Sequence, residues 1–289
     1  MTGSPPSGSG EAAQELPDGF ALSRRVVPRL VHLGVTGSTN DDLVLRAPTA
    51  PAGTVVVSLE QRAGRGRLAR AWTAPAGQMM AASILVRPRD ARGAALPEDA
   101  WGWLPLLAGH ALEGGIQELL DGVPEARPVL LKWPNDVQIG GDKVSGILAE
   151  VTTVDGAPDG VVVGVGVNLT IARPDLPTAV STSLRLEGVE GEAVDVADRV
   201  LSSFVARFGA LLDRLASASG DATASGLHRE VEAACDTVGR RVRVELPDGT
   251  DLHGRATGLD PAGRLVVLPD DKSGIVRVAA GDVTHLRYE

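Results

Sequence analysis

The chain has 289 residues, 43% hydrophobic and 22% charged, with a formal charge of -9 at pH 7. That is the balance of a soluble globular protein with room for one medium domain and a small module. The acidic balance argues against a surface that condenses on phosphate backbones, no apolar run reaches the ~18–20 residues that span a bilayer, and one cysteine, Cys235, excludes an internal disulfide or a cysteine cluster for zinc.

Residues 1–22 are rich in Gly, Ser and Pro and carry too little apolar material to offset the entropy of ordering, which predicts a disordered tail. The start has neither the basic residues nor the apolar core of a secretory leader, so a cytoplasmic setting is expected. From Arg29 the run Leu30-Val31-His32-Leu33-Gly34-Val35 reads as a strand. Gly37-Ser38-Thr39-Asn40-Asp41-Asp42 then feeds a helix, with Ser38 or Thr39 as cap and both aspartates in the first turn, where the helix dipole favours acids. Strands are predicted at Thr54–Leu59 and Met79–Val86, with a basic, glycine-containing loop between them. Trp101–Leu120 has helical length, Val129–Trp133, Val144–Val151 and Gly160–Thr170 read as strands, and Val194–Leu215 is an amphipathic helix. After a short helix near Leu227–Cys235 come brief strands separated by Pro247-Asp248-Gly249 and Asp260-Pro261-Ala262-Gly263, the composition of hairpin turns. The expected organisation is an α+β main unit over residues 23–236, a mixed sheet with helices, and a small β-barrel over 237–289.

Three segments carry chemistry. Gly64-Arg65-Gly66-Arg67-Leu68-Ala69-Arg70-Ala71-Trp72, preceded by Glu60-Gln61, sets guanidinium forks between exposed backbone N–H groups, a combination suited to phosphate, although a charge run is often plain surface. Lys132-Trp133-Pro134-Asn135-Asp136 ends an apolar strand in a turn, and Gly140-Gly141-Asp142 precedes Lys143. Lys132 and Lys143 are therefore expected on neighbouring strands of one hairpin, facing one acid, unless they are ordinary exposed lysines. Gly164-Val165-Gly166-Val167-Asn168 is a β-branched run opened by glycines, for close approach of a ligand or for a bulge, and it lacks the third glycine of a dinucleotide fingerprint. The five histidines show no metal spacing, and neither a Walker loop nor a nucleophile elbow is present. Phosphate handling by Arg and Lys, without a covalent enzyme nucleophile, points to adenylate chemistry.

Taken in order, Gly37-Ser38-Thr39-Asn40, Glu60-Gln61 with the Gly-Arg-Gly-Arg loop and Trp72, Lys132-Trp133-Pro134-Asn135-Asp136 with Lys143 and Gly146-Ile147-Leu148, and Gly164 to Asn168 resemble the biotin–protein ligase family. The resemblance implies a catalytic domain related to class II aminoacyl-tRNA synthetases and lipoate ligases, followed by a C-terminal SH3-like barrel. It implies formation of biotinyl-5'-AMP from biotin and ATP, with Mg2+ expected, and transfer to a lysine of a biotin carboxyl carrier protein. Ser38, Thr39, Asn40 and Gln61 would meet the biotin ring, where a buried polar head needs partners. Arg65, Gly66 and Arg67 would close over the adenylate, and Arg70 and Trp72 would help hold ATP. Lys143 would sit at the biotin carboxylate and the α-phosphate, Lys132, Asn135 and Asn168 would serve the triphosphate and Mg2+, and Asp136 would orient Lys143 or the incoming lysine. The catalytic set is then Lys143, Arg67 and Asp136, with no direct protein ligand assigned to a metal.

One position departs from the family loop, where glycine usually stands at Ala69. Residues 1–22 are too few for the winged helix-turn-helix of family members that repress transcription. A ligase that binds neither nucleic acid nor membrane is therefore expected, with a monomer as its state. The rival readings are a lipoate or octanoate ligase on the same fold and a Gly-Arg nucleic-acid-binding module, the latter disfavoured by the acidic charge.

Overall fold

The computed structural model describes residues 14–67, 70–246, 248–271, 273–279 and 282–285. The main layer is a seven-stranded sheet. Its strands, in chain order, are β1 (Arg29–Leu33), β2 (Thr54–Ser58), β5 (Met79–Val86), β6 (Val129–Lys132), β7 (Asp136–Ile139), β8 (Asp142–Val154) and β9 (Ala157–Asn168). A two-stranded ribbon, β3 (Gly64–Arg65) with β4 (Ala71–Trp72), stands apart from it. The spatial order is β1-β2-β5-β9-β8-β7-β6, with β1 and β2 parallel and every other pair antiparallel.

The period of two along each strand sorts side chains to opposite faces. Val55, Val57, Val161, Val163, Val165 and Val167 join the large core formed with helices α2 (Leu104–Leu120) and α3 (Ala193–Ser217). Val56, Leu85 and Val162 face the other way and pack beneath α1 (Thr39–Arg46) with Leu43 and Ala47. Beyond Val162 that second face of β9 carries Gly164, Gly166 and Asn168, so the strand is β-branched on the core side and nearly bare on the side of α1. The functional cavity lies on this bare stretch.

Helix α4 (Leu227–Ala234) leads to a five-stranded antiparallel sheet of β10 (Arg241–Glu245), β11 (Asp251–Leu259), β12 (Leu265–Pro269), β13 (Val276–Val278) and β14 (Asp282–His285), ordered β13-β12-β11-β10-β14. This is the small β unit expected here; among the described residues its outer strands β13 and β14 do not pair with each other. Its inner residues Val242, Val244, Ala256, Leu265 and Val267 are continuous with the main core. Two tryptophans fasten it: Trp103 Nε1 donates to the Pro261 carbonyl at 2.9 Å and Trp133 Nε1 to the Gly263 carbonyl at 3.1 Å. Gly263, at φ +77°, gives the β11–β12 turn a backbone shape that L side chains disfavour.

The structure corrects two readings and qualifies a third. Of the tail expected over residues 1–22, residues 1–13 lie outside the described residues, while residues 14–22 are held in place: Leu16 N–H donates to the His32 carbonyl, Gly34 N–H to the Gln14 carbonyl, and Phe20 is 1% exposed against the His32 ring. The buried carboxylate of Asp198 on α3 accepts the N–H groups of Leu22 and Ser23, anchoring the segment from 175 residues away in sequence. Lys132 and Lys143 do not share a hairpin, because residues 136–139, between the two turns, form a strand of their own. Asp136 pairs with Lys132 on one side of β7, and Gln138 pairs with Lys143 on the other. The basic loop is partly a ribbon, while Leu68 and Ala69, and with them the question of the loop glycine, lie outside the described residues. Cys235 is 2% exposed and burial pushes its thiol up, the mark of a packing residue. No helix among the described residues is long and apolar enough to cross a membrane.

Candidate active site

A cavity of about 370 Å³ opens on the α1 face of the large sheet. The residues to which the resemblance gives a role all line it: Ser38, Thr39 and Asn40 at the start of α1, Gln61, Arg65, Gly66, Arg67, Arg70 and Trp72 from the ribbon and its approach, Lys132, Asn135 and Asp136 around the β6–β7 turn, Lys143 from β8 and Asn168 from β9. The C-terminal sheet contributes Val283 to the wall.

At one end the first turn of α1 is tied down. Ser38 caps the helix by accepting from Asp41 N–H, and its own backbone is extended. Gln61 Oε1 accepts from Thr39 N–H at 2.9 Å and from Thr39 Oγ1 at 3.3 Å, joining the helix to the ribbon approach. Asn40 is 5% exposed and fully engaged: its Oδ1 accepts from Ser83 Oγ at 2.6 Å, and its Nδ2 donates to the Leu148 carbonyl at 3.2 Å and to Glu150 Oε2 at 2.7 Å. It lies directly on Gly164, where a Cβ would stand 2.1 Å from Asn40 Oδ1. The glycine therefore gives the carboxamide its place.

The next glycines do the same for Trp72. Gly146 and Gly166 are register partners on β8 and β9, and a Cβ would fall 3.1 Å and 2.6 Å from the indole at each. Trp72 lies across this paired gap, with Lys143 Nζ 5.6 Å from the ring centroid, within reach of the ring's negative face. Lys143 Nζ is also 2.6 Å from Asp136 Oδ1. The lysine is thus held between a carboxylate and an aromatic face, and its backbone is fixed by the segment 177–182: Lys143 N–H donates to Val180, and Thr182 N–H donates to Lys143.

The ribbon is latched at both margins. Arg65 pairs with Asp41 on α1 and with Glu150 on β8, the latter at 3.1 Å. Partial burial works against its charge, but Glu150 and Asp41 together outweigh that and hold the guanidinium above its ordinary pKa. Arg67 Nη1 donates to Asn135 Oδ1 at 3.4 Å, while Asn135 Nδ2 donates to the Ile147 carbonyl at 2.8 Å, so the Pro134-Asn135 turn links the ribbon to β8. Asn168, 2% exposed, gives its amide N–H to the Thr182 carbonyl. Chemically, the cavity offers the amides and hydroxyls of Ser38, Thr39, Asn40 and Gln61 at one end, beside the Arg65 ion pairs with Asp41 and Glu150, and further guanidinium and ammonium groups over its middle. That order suits a polar uncharged head joined to a carboxylate that meets phosphate.

The sequence motifs did not point to Ser83, Glu150, Gln138 or the segment 177–181. Ser83 had a signal, a hydroxyl within the otherwise apolar run Met79–Val86, whereas Glu150 and the 177–181 segment reach the site only through long-range packing.

Two family models match the chain: the biotin/lipoate A/B protein ligase family over residues 34–168 and the biotin protein ligase C terminal domain over residues 237–286. The biotin--[acetyl-CoA-carboxylase] ligase of Mycobacterium tuberculosis is 39% identical over 254 residues, covering 87% of this chain and 87% of its own. The bifunctional ligase/repressor BirA of Bacillus subtilis is 30% identical over 270 residues, covering 91% of this chain and 76% of its own. Among solved structures, the biotin protein ligase from Aquifex aeolicus in complex with biotin and ATP superposes with a TM-score of 0.69 at 25% identity, over 90% of this chain and 100% of that one. The Leishmania major biotin protein ligase in complex with biotinyl-5-AMP gives 0.53 at 25% identity, over 90% and 99%.

Proposed function

Because the chain belongs to the biotin protein ligase family, we propose that this cavity joins biotin to ATP as biotinyl-5'-AMP and passes the biotinyl group to a lysine of a biotin carboxyl carrier protein. The observation that carries the reading is that residues from all four motifs, among them Asn40, Gln61, Arg67, Trp72, Lys143 and Asn168, line one cavity. Asn40, Thr39, Ser38 and Gln61 take the ureido head, since a buried urea needs both donors and acceptors. Thr39 and Gln61 are fixed beforehand by bonding each other, Ser38 by capping Asp41, and Asn40 by Ser83, Leu148 and Glu150.

The biotin carboxylate then lies toward Lys143, Arg65 and Arg67. Attack of a carboxylate oxygen on the α-phosphorus forms the mixed anhydride and expels pyrophosphate. Negative charge accumulates at the α-phosphate as the bond forms, and Lys143, fixed between Asp136 and Trp72, meets it without reorganising. Lys132, Asn135 and Arg70 serve the remaining phosphates. In the second step the neutral lysine amine attacks the acyl carbon, the C–N bond forms as the C–O bond to AMP breaks, and Asp136 is the carboxylate placed to orient that amine.

Among the described residues no group of three or more His, Cys, Asp or Glu could hold a metal ion alone. An Mg2+ would be carried mainly by the ATP phosphates, with Asp136 and Asn168 as the oxygen donors lining the cavity, and would neutralise the pyrophosphate leaving group. Biotin-dependent exchange of labelled pyrophosphate into ATP tests the proposal. Exchange that requires biotin is expected, and its absence with pure protein, Mg2+ and biotin would overturn adenylation here.

A further inference from the structure

Gln138 lines the cavity without belonging to any motif. It stands on β7 two residues after Asp136, opposite Lys143 on β8, and is 7% exposed. Its Oε1 is buried and accepts no hydrogen bond among the described residues. A carboxamide oxygen withdrawn from water without a donor is costly, and the neighbouring positions of the strand, Val137 and Ile139, are apolar. An unpartnered amide oxygen kept in the cavity wall points to a ligand that donates to it.

Its location selects which ligand. Along β8, Lys143 is opposite Gln138, whereas Leu148 and Glu150 hold Asn40 at the neutral end. At a strand rise of ~3.3 Å per residue, five to seven residues separate Gln138 from that end by roughly 15–25 Å. Gln138 therefore belongs to the half that Lys132 and Lys143 mark for the nucleotide. Phosphate oxygens at neutral pH offer no proton to a carbonyl oxygen; the nucleoside does, through the adenine amino group and the ribose hydroxyls.

We infer that Gln138 accepts a hydrogen bond from the nucleoside part of ATP and sets the selectivity for that donor. The inference rests on the ligase reading above. Its test is a cycle of protein and ligand changes read as KM in adenylate formation at saturating biotin. Wild type and Gln138→Met, which removes the acceptor at similar volume, are compared on ATP, 2'-deoxy-ATP, 3'-deoxy-ATP and the purine riboside triphosphate that lacks the amino group. In wild type, losing the relevant donor is expected to raise KM roughly five- to tenfold. In Gln138→Met, ATP and that analogue should become equivalent, identifying the donor. Gln138→Glu keeps an acceptor and should keep the wild-type penalty, and biotin binding at the far end reports that each variant is folded. Persistence of every analogue's penalty in Gln138→Met, or an ATP KM unchanged by it, would overturn the inference, as when a water satisfies Oε1 instead. Absence of exchange by the wild type would sink the ligase reading itself, whereas exchange indifferent to residue 138 would sink only this step.

Discussion

Gly164→Ala is the smallest change that tests the site's construction. The added Cβ would stand 2.1 Å from Asn40 Oδ1 and 2.9 Å from its Cγ. Ordinary non-bonded contact begins near ~3.5 Å, so the carboxamide must retreat by roughly 1.4 Å or α1 must part from β9. Asn40 cannot retreat without loss, since it is held by Ser83, the Leu148 carbonyl and Glu150. Two neutral hydrogen bonds at ~1 kcal/mol and one to a carboxylate at ~1.5–3 kcal/mol are at stake, and breaking part of the set costs about 2–4 kcal/mol. Expressed in binding, that is about 30- to 1000-fold in biotin Kd. Gly37→Ala is the matched control, because a Cβ there meets nothing within 4 Å and the backbone is outside the left-handed region. Calorimetric titration with biotin, alongside thermal melts of both variants, measures the outcome. A Gly164→Ala protein whose biotin Kd stays within about threefold of wild type, with unchanged Tm, would refute the claim that this glycine exists to seat Asn40.

Lys143→Ala should lower biotin-dependent pyrophosphate exchange by about 100-fold or more, and Asp136→Asn by less, since the first removes the charge at the α-phosphate and the second only its partner at 2.6 Å. Arg67→Gly should leave adenylation working but release biotinyl-5'-AMP, measured as free adenylate in the absence of acceptor; equal, complete loss in both variants would contradict their separate roles. Trp133→Phe removes the bond to the Gly263 carbonyl from a side chain 2% exposed, and should lower stability by about 1–2 kcal/mol, seen as a Tm drop of roughly 2–6 °C. His110 is lifted above its ordinary value near 6.5, chiefly by its hydrogen bond to Glu113 with Glu230 adding and burial opposing. Its contribution to stability is therefore fully present below about pH 6.5 and fades as pH rises through the higher folded value, so His110→Gln should destabilise at pH 5.5 and much less at pH 8.5 in denaturant titrations.

What the sequence disclosed, and what it hid, divides along the range of the interactions. A helix cap at Ser38 or Thr39, the Asp248-Gly249 turn and the apolar, β-branched runs of β5 and β9 are local, and are legible because chain chemistry within a few residues decides them. Phe20 looked like part of a tail because its partners, His32 and the Asp198 anchor beside it, lie far along the chain. Lys132 and Lys143 were assigned to one hairpin because residues 136–139 are too short to register as a strand until β6 and β8 flank them. The glycines of β9 show the division within one motif. The sequence leaves these glycines two readings, close approach or a bulge. Which group approaches each glycine depends on α1 and the ribbon, so the choice between ligand seat and bulge waited on Asn40 and Trp72. The glycines make room for an amide and an indole, and glycines, amide and indole together line the cavity.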